Sequence, residues 1–181
     1  TYIGLTVAEF LCLWAAGMTP FDAINHAFST IATGGFSTKN SSIMFYDSNV
    51  INIIIMVFMT LAAMHFGVIY SSIATRSFKP FRHPITRYYL LVILVLSVLA
   101  TLSLTIQGGL KFPEALMSGS FQVISFISTT GFGQADNAIW PLLANTVLLF
   151  AAIHCGCSGS TTGGIKADRM FIAFKAIQGD F

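Results

Sequence analysis

Two segments constrain this chain more than any others: residues 20–32, PFDAINHAFSTIA, and 112–128, FPEALMSGSFQVISFIS. Each has a proline near its start and an acid in the first turn, Asp22 and Glu114, the usual marks of a helix N-terminus. At 13 and 17 residues they are too short or too polar to cross a bilayer core of about 30 Å, which takes ~20 apolar residues as helix. Yet both lie among apolar stretches, at 1–17, 49–70, 88–106 and 139–155, with a more broken one at 165–178. The pattern predicts re-entrant half-helices set between membrane spans.

Composition agrees. Charged residues make up 9% of the chain, against roughly 25% in soluble domains, and mean hydropathy is +0.77. A net charge of +2 with no basic face excludes nucleic-acid binding. Three cysteines, an odd number in apolar surroundings, make no disulfide framework. No signal peptide is visible: the opening TYIGLTVAEFLCLWAAG lies already inside an apolar segment, and it is expected to be the second half of a longer span.

The basic residues set the orientation. Arg76, Lys79, Arg82 and Arg87 fall between two spans, and Lys166, Arg169 and Lys175 follow the last one. By the positive-inside rule these regions are cytoplasmic, which places seven of the nine basic residues inside. Residues 33–48 and 129–138 then face outward, with Lys39 set against Asp47 and Asp136. The order is span, half-helix, turn, span, twice over. Aligning Phe36 with Phe132 gives an offset of 96, and aligning Asp22 with Glu114 gives 92, so the second half-helix is expected to be one turn longer.

Each half-helix runs into a glycine-containing turn, IATGGF or ISTTGF. Irregular backbone at membrane depth must be buried in protein or line water. Carbonyl oxygens aimed inward from such a turn can replace a cation's hydration shell. Glycine permits the backbone angles, and the half-helix turns its negative C-terminal end toward the ion. These features favour a cation. The alternative is a plain extracellular turn between helices, and its occurrence twice in register weighs against that.

A second irregular stretch, GCSGSTTGG at 156–164, interrupts residues 139–177 on the inner side of the second turn. It must line a cavity or be buried, and Gly156, Gly159, Gly163 and Gly164 are candidate hinges. Lys166 is expected to hold this loop, to repel cations, or to anchor at the inner interface. GSTTGGIK misses the phosphate-binding loop by one inserted Ile and follows a span instead of a strand. HCGCSGS offers Ser158, with His65 or His154 as base, to a rhomboid-like intramembrane serine protease, but that reading explains neither the repeat nor the paired turns.

With AFSTIATGGFST, ISTTGFGQADNAIWP and GCSGSTTGGIKADR in that order, the whole chain resembles the pore subunits of the bacterial Trk/Ktr potassium-uptake family. The resemblance implies an all-α membrane protein: two tandem span–pore half-helix–filter–span repeats, the last inner helix broken by an intramembrane loop. The repeats would be 1–75 and 88–181, joined by a cytoplasmic basic loop at 76–87. It implies a K⁺ filter of Ala32, Thr33, Gly34, Gly35 and Phe36 with Ser128, Thr129, Thr130, Gly131 and Phe132. Thr33, Gly34, Thr129 and Thr130 would offer carbonyls. The gate would be Gly156, Ser158, Gly159, Ser160, Thr161, Thr162, Gly163, Gly164 and Lys166. The family has four repeats, so this chain resembles the second and third, a fragment of a longer protein in the bacterial inner membrane. The resemblance further implies K⁺ as transported ion with no cofactor, no enzymatic activity, a homodimer, and a cytosolic TrkA/KtrA-like nucleotide-binding subunit, with 76–87 as its candidate docking surface.

Among polar residues in apolar segments, His65, His154, Asn52 and Asn145 are expected to make interhelical hydrogen bonds. His26 is expected to pack behind the filter, and Glu9 is read as a residue that could face a neighbouring repeat. Cys155 and Cys157 lack the further ligands of a zinc site.

Overall fold

A computed structural model describes residues 1–77 and 79–179. The helices in chain order are α1 (Tyr2–Ala15), α2 (Pro20–Ile31), α3 (Asn49–Ala62), α4 (Phe66–Thr75), α5 (Pro84–Ile106), α6 (Phe112–Ile127), α7 (Leu142–Ile153) and α8 (Ala167–Gln178). Short 3-10 turns fall at Ser42–Tyr46, Lys79–Arg82 and Asn137–Ile139. α1, α2 and α3 pack on one another, and so do α5, α6 and α7. α3 lies against α6 and joins the two halves.

The short helices start and end where the sequence marks them. At α2, Thr19 accepts a hydrogen bond from the Asp22 N–H (3.1 Å), and Pro20, which lacks an N–H, occupies the first turn. α2 has 12 residues and α6 has 16. Gly119 lets α6 approach α5 closely, since a Cβ there would stand 3.2 Å from the Thr101 nitrogen. α5, at 23 residues, is the one described helix that is by itself long and apolar enough to cross a bilayer. Its Leu91, Leu94, Val98 and Leu102 form an exposed stripe, while Tyr89, Ile93, Ala100 and Leu104 turn inward. Residues 84–87, read as part of the basic loop, form its first turn.

One core spans both halves, joining Leu13, Ile55 and Met59 to Tyr89, Phe121, Ile127 and Phe132. A second cluster, with Ala100, Leu104, Val123, Trp140 and Leu148, belongs to the α5–α7 half.

The stretch 49–70, read as an unbroken span, is broken. α3 and α4 meet at residues 63–65 and bend by 99°. The break leaves carbonyls at the end of α3 without helical partners, and the glycine loop supplies them. Cys157 N–H donates to the Ala63 oxygen (2.8 Å), and the Thr161 hydroxyl donates to the Ala62 oxygen (3.3 Å). On the other side of the break, His65 Nδ1 caps α4 by accepting from the Gly67 N–H (3.0 Å). The helical runs that follow α2 and α6 are therefore both interrupted.

Candidate functional site

The two half-helices end alike. Ala32 and Ser128 close them at φ −77°, ψ −4° and φ −78°, ψ −4°. Thr33 and Thr129 follow at φ 51° and 54°, then Gly35 and Gly131 at φ 70° and 83°. Thr33 N–H donates to the Thr30 oxygen (3.0 Å) and Gly34 N–H to the Ser29 oxygen (2.7 Å). Thr129 and Thr130 repeat this on Phe126 and Ser125, at 3.0 Å each. This is the Schellman helix end, whose left-handed residue is normally glycine. A β-branched residue there costs of order 1–3 kcal/mol, and such strain concentrates at functional sites.

The two turns are neighbours. A Cβ on Gly35 would stand 2.0 Å from the Thr130 carbonyl oxygen, so only a glycine fits. Beyond the turns, the Gly133 oxygen accepts from Ile43 N–H (3.1 Å) and Met44 N–H (3.2 Å). Ser125 Oγ donates to the Phe132 oxygen (2.8 Å) and fixes that carbonyl. Phe132 is buried with its ring 5.9 Å from that of His26, whose Nε2 meets Ser37 Oγ (2.9 Å) just past the first turn. Phe36, the matching residue, is 82% exposed.

The glycine loop sits against both turns. Thr33 Oγ1 shares its proton between the Ala32 oxygen (2.8 Å) and the Thr161 oxygen (3.0 Å), and Gly163 N–H donates to Thr129 Oγ1 (3.0 Å). The loop's neck is closed by Cys155 N–H to the Ile165 oxygen (3.1 Å) and Ala167 N–H to the Gly156 oxygen (3.0 Å). Ser158 N–H donates to Asp168 Oδ2, and Lys166 Nζ donates to the Thr162 carbonyl. Of the expected hinge glycines, Gly159 and Gly164 have positive φ, 72° and 64°. Gly156 serves close approach, because a Cβ there would stand 2.5 Å from the Ala63 oxygen. Ser160 Oγ bridges the Cys157 oxygen (2.6 Å) and Thr162 Oγ1 (2.8 Å). Asp168, Ala62 and Ala63 carry much of this framework and were not singled out from the sequence. Asp168 had a visible signal, an acid in the first turn of α8.

At the start of α2, Asp22 Oδ1 accepts from the Thr38 hydroxyl (2.6 Å), and Asp22 Oδ2 pairs with Lys39 Nζ (3.2 Å). The Thr38 bond, with help from Lys39, holds the Asp22 carboxyl down at about 2 despite the opposing effect of burial.

The remaining polar residues divide. His154 Nε2 meets the Tyr88 hydroxyl (2.9 Å) across helices, as expected. Asn145 instead bonds locally to the Trp140 oxygen (3.3 Å), because that carbonyl is one turn away. His65 caps α4, and the Asn52 side-chain oxygen is buried without a hydrogen-bond partner among the described residues. No hydrogen bond joins Ser158 to either histidine among the described residues. Glu9 is fully buried within this chain, on a helix packed against α2 and α3, with the Thr30 hydroxyl on α2 as its polar neighbour. No group of three metal-ligating side chains occurs among them.

The family model TrkH, described as a cation transport protein, matches residues 1–181. The chain is 43% identical over 178 residues to the Trk system potassium uptake protein TrkH of Escherichia coli K12, covering 96% of this chain and 36% of that protein. It is 33% identical over 176 residues to the Trk system potassium uptake protein TrkG of the same strain, covering 97% and 36%. Among solved structures, that of the potassium transporter TrkH from Vibrio parahaemolyticus matches with a TM-score of 0.92 at 36% identity, over 98% of this chain and 39% of that one. The chain thus spans little more than a third of the length of these relatives. It belongs to the TrkH family of cation transport proteins.

Proposed function

We propose that this chain forms two adjacent units of a potassium-conducting pore in the bacterial inner membrane, with 32–36 and 128–132 as two walls of a carbonyl filter. The observation that carries the reading is the pair of strained turns, alike in their left-handed Thr and Gly residues and set side by side at Gly35 and Thr130. Each half-helix turns its negative end toward the same region, and carbonyl oxygens there can stand in for the hydration shell of a dehydrated K⁺. Transport of this kind makes and breaks no covalent bond.

The loop at 156–164 is the gate beneath the filter. Its bonds to the hydroxyls of Thr33 and Thr129 support an obstructing position. With those to Ala62 and Ala63 and the one from the Phe66 N–H to the Gly159 oxygen (3.3 Å), they tie the loop to both turns and to the α3–α4 break. At ~0.6 kcal/mol apiece inside a membrane, they hold the loop by a few kcal/mol. A gating signal with different affinities for two states can overcome that much.

Two further units of the same kind complete the pore in the whole protein. The exposed Phe36 supports this, since Phe132 shows how such a ring is buried by a neighbouring unit. The reading extends to a dimer and to a cytosolic nucleotide-binding regulatory subunit that docks on the basic stretch 76–87.

The test is growth of a potassium-uptake-deficient bacterium carrying the full-length gene. The expected result is rescue at low external K⁺, retained by Ser158→Ala with altered gating at most. Absence of rescue by a membrane-inserted protein overturns the proposal. Proteolysis that Ser158→Ala abolishes would favour the protease.

A further inference from the structure

The strand that leaves the first turn does not hang free. Thr38 and Lys39 both return to one carboxylate, that of Asp22, in the first turn of the half-helix that leads into the same turn. The entry and exit of the first unit are thereby tied together: Asp22 to Thr38 at 2.6 Å, Asp22 to Lys39 at 3.2 Å, and His26 Nε2 to Ser37 Oγ at 2.9 Å. The Asp22 side chain is 6% exposed and that of Lys39 29%. Lys39 also lies over the Phe45 ring, 4.9 Å from its centroid, so its ammonium is held in one place. The second unit ties its own half-helix to its exit without charge, Gln122 Nε2 to Asn137 Oδ1 at 2.6 Å.

We propose that the Asp22–Lys39 ion pair is a positioning clamp for the first filter turn, which fixes its exit strand and keeps the Lys39 charge away from entering cations. The clamp rests on the pore reading above. An ion pair suits this task because breaking it has two effects. A nearly buried carboxylate loses its counter-charge, which is costly. An ammonium on the outer side is also released, and it repels incoming K⁺. The amide pair of the second unit has neither liability.

The test uses the full-length protein reconstituted in vesicles, with Rb⁺ uptake and its inhibition by Na⁺ as readouts. Asp22→Asn and Lys39→Met are each expected to lower the preference for Rb⁺ over Na⁺ about tenfold, the scale of one lost charged hydrogen bond. The double variant should be no worse than either alone, and Lys39→Arg should retain most of the preference. Unchanged preference in Lys39→Met, or additive losses in the double variant, overturns the clamp. Lys39 is part-exposed, so its variants remain informative if Asp22→Asn fails to fold. Absence of Rb⁺ flux in the wild-type protein would instead strike the pore reading itself.

Discussion

Thr33 and Thr129 hold backbone angles that a β-branched residue seldom adopts, and the hydroxyls of both meet the glycine loop. The strain is placed where the chain must reverse direction and present polar groups at once. Gly35 answers the same demand by having no side chain. Gly35→Ala should abolish uptake in the rescue assay, because its methyl would meet the Thr130 oxygen at 2.0 Å and no rotamer relieves a backbone contact. Asp22 makes the opposite kind of statement. Its carboxyl is held at about 2, below the ordinary 3.8. The stabilisation from its charged form is therefore complete above about pH 4 and fades only as pH falls through about 2. Lys39, His26 and Tyr46 are the titratable groups beside it. Preference for Rb⁺ over Na⁺ should thus be equal at external pH of about 7 and about 5. A fall within that window would contradict an ionised clamp.

At the scale of elements, the sequence revealed most where local signals are strong. Proline and an acid marked the starts of α2 and α6, and the T-x-G-F turns marked their ends. The break between α3 and α4 was illegible, because AAMHFG is apolar and its carbonyls are satisfied by a loop about a hundred residues away. Local pattern cannot report a partner that distant. The glycine loop was legible as irregular, but its anchoring was not: Asp168 could be seen only as a helix-start acid, and its bond to the loop, like those of the Ala62 and Ala63 carbonyls, becomes relevant only once the helices are packed. The anchoring yields a sharp expectation. Lys166 holds Thr162, which flanks the residue bonded to Thr33. Lys166→Met should raise basal flux in vesicles about threefold, the effect of one bond of ~0.6 kcal/mol. Unchanged or reduced flux would return Lys166 to the role of interface anchor.

For the whole molecule, the contacts between the two units have a direction. Gly35 of the first unit packs against a carbonyl of the second, and Phe132 of the second packs against the half-helix of the first. In the proposed ring of four units the same contacts would recur at each boundary. Gly131, which has open space about it in this chain, would then face a carbonyl of the next unit. Gly131→Ala in the full-length protein should be as damaging to uptake as Gly35→Ala, and a well-tolerated Gly131→Ala would contradict closure by repetition.

The ion itself gives the most direct measurement. Crystals of the full-length protein soaked in Rb⁺ or Tl⁺ should show anomalous density between the turns at 32–36 and 128–132, within coordination distance of main-chain oxygens from both. Density confined to other sites, or carbonyls of these turns directed away from it, would contradict a filter built from them.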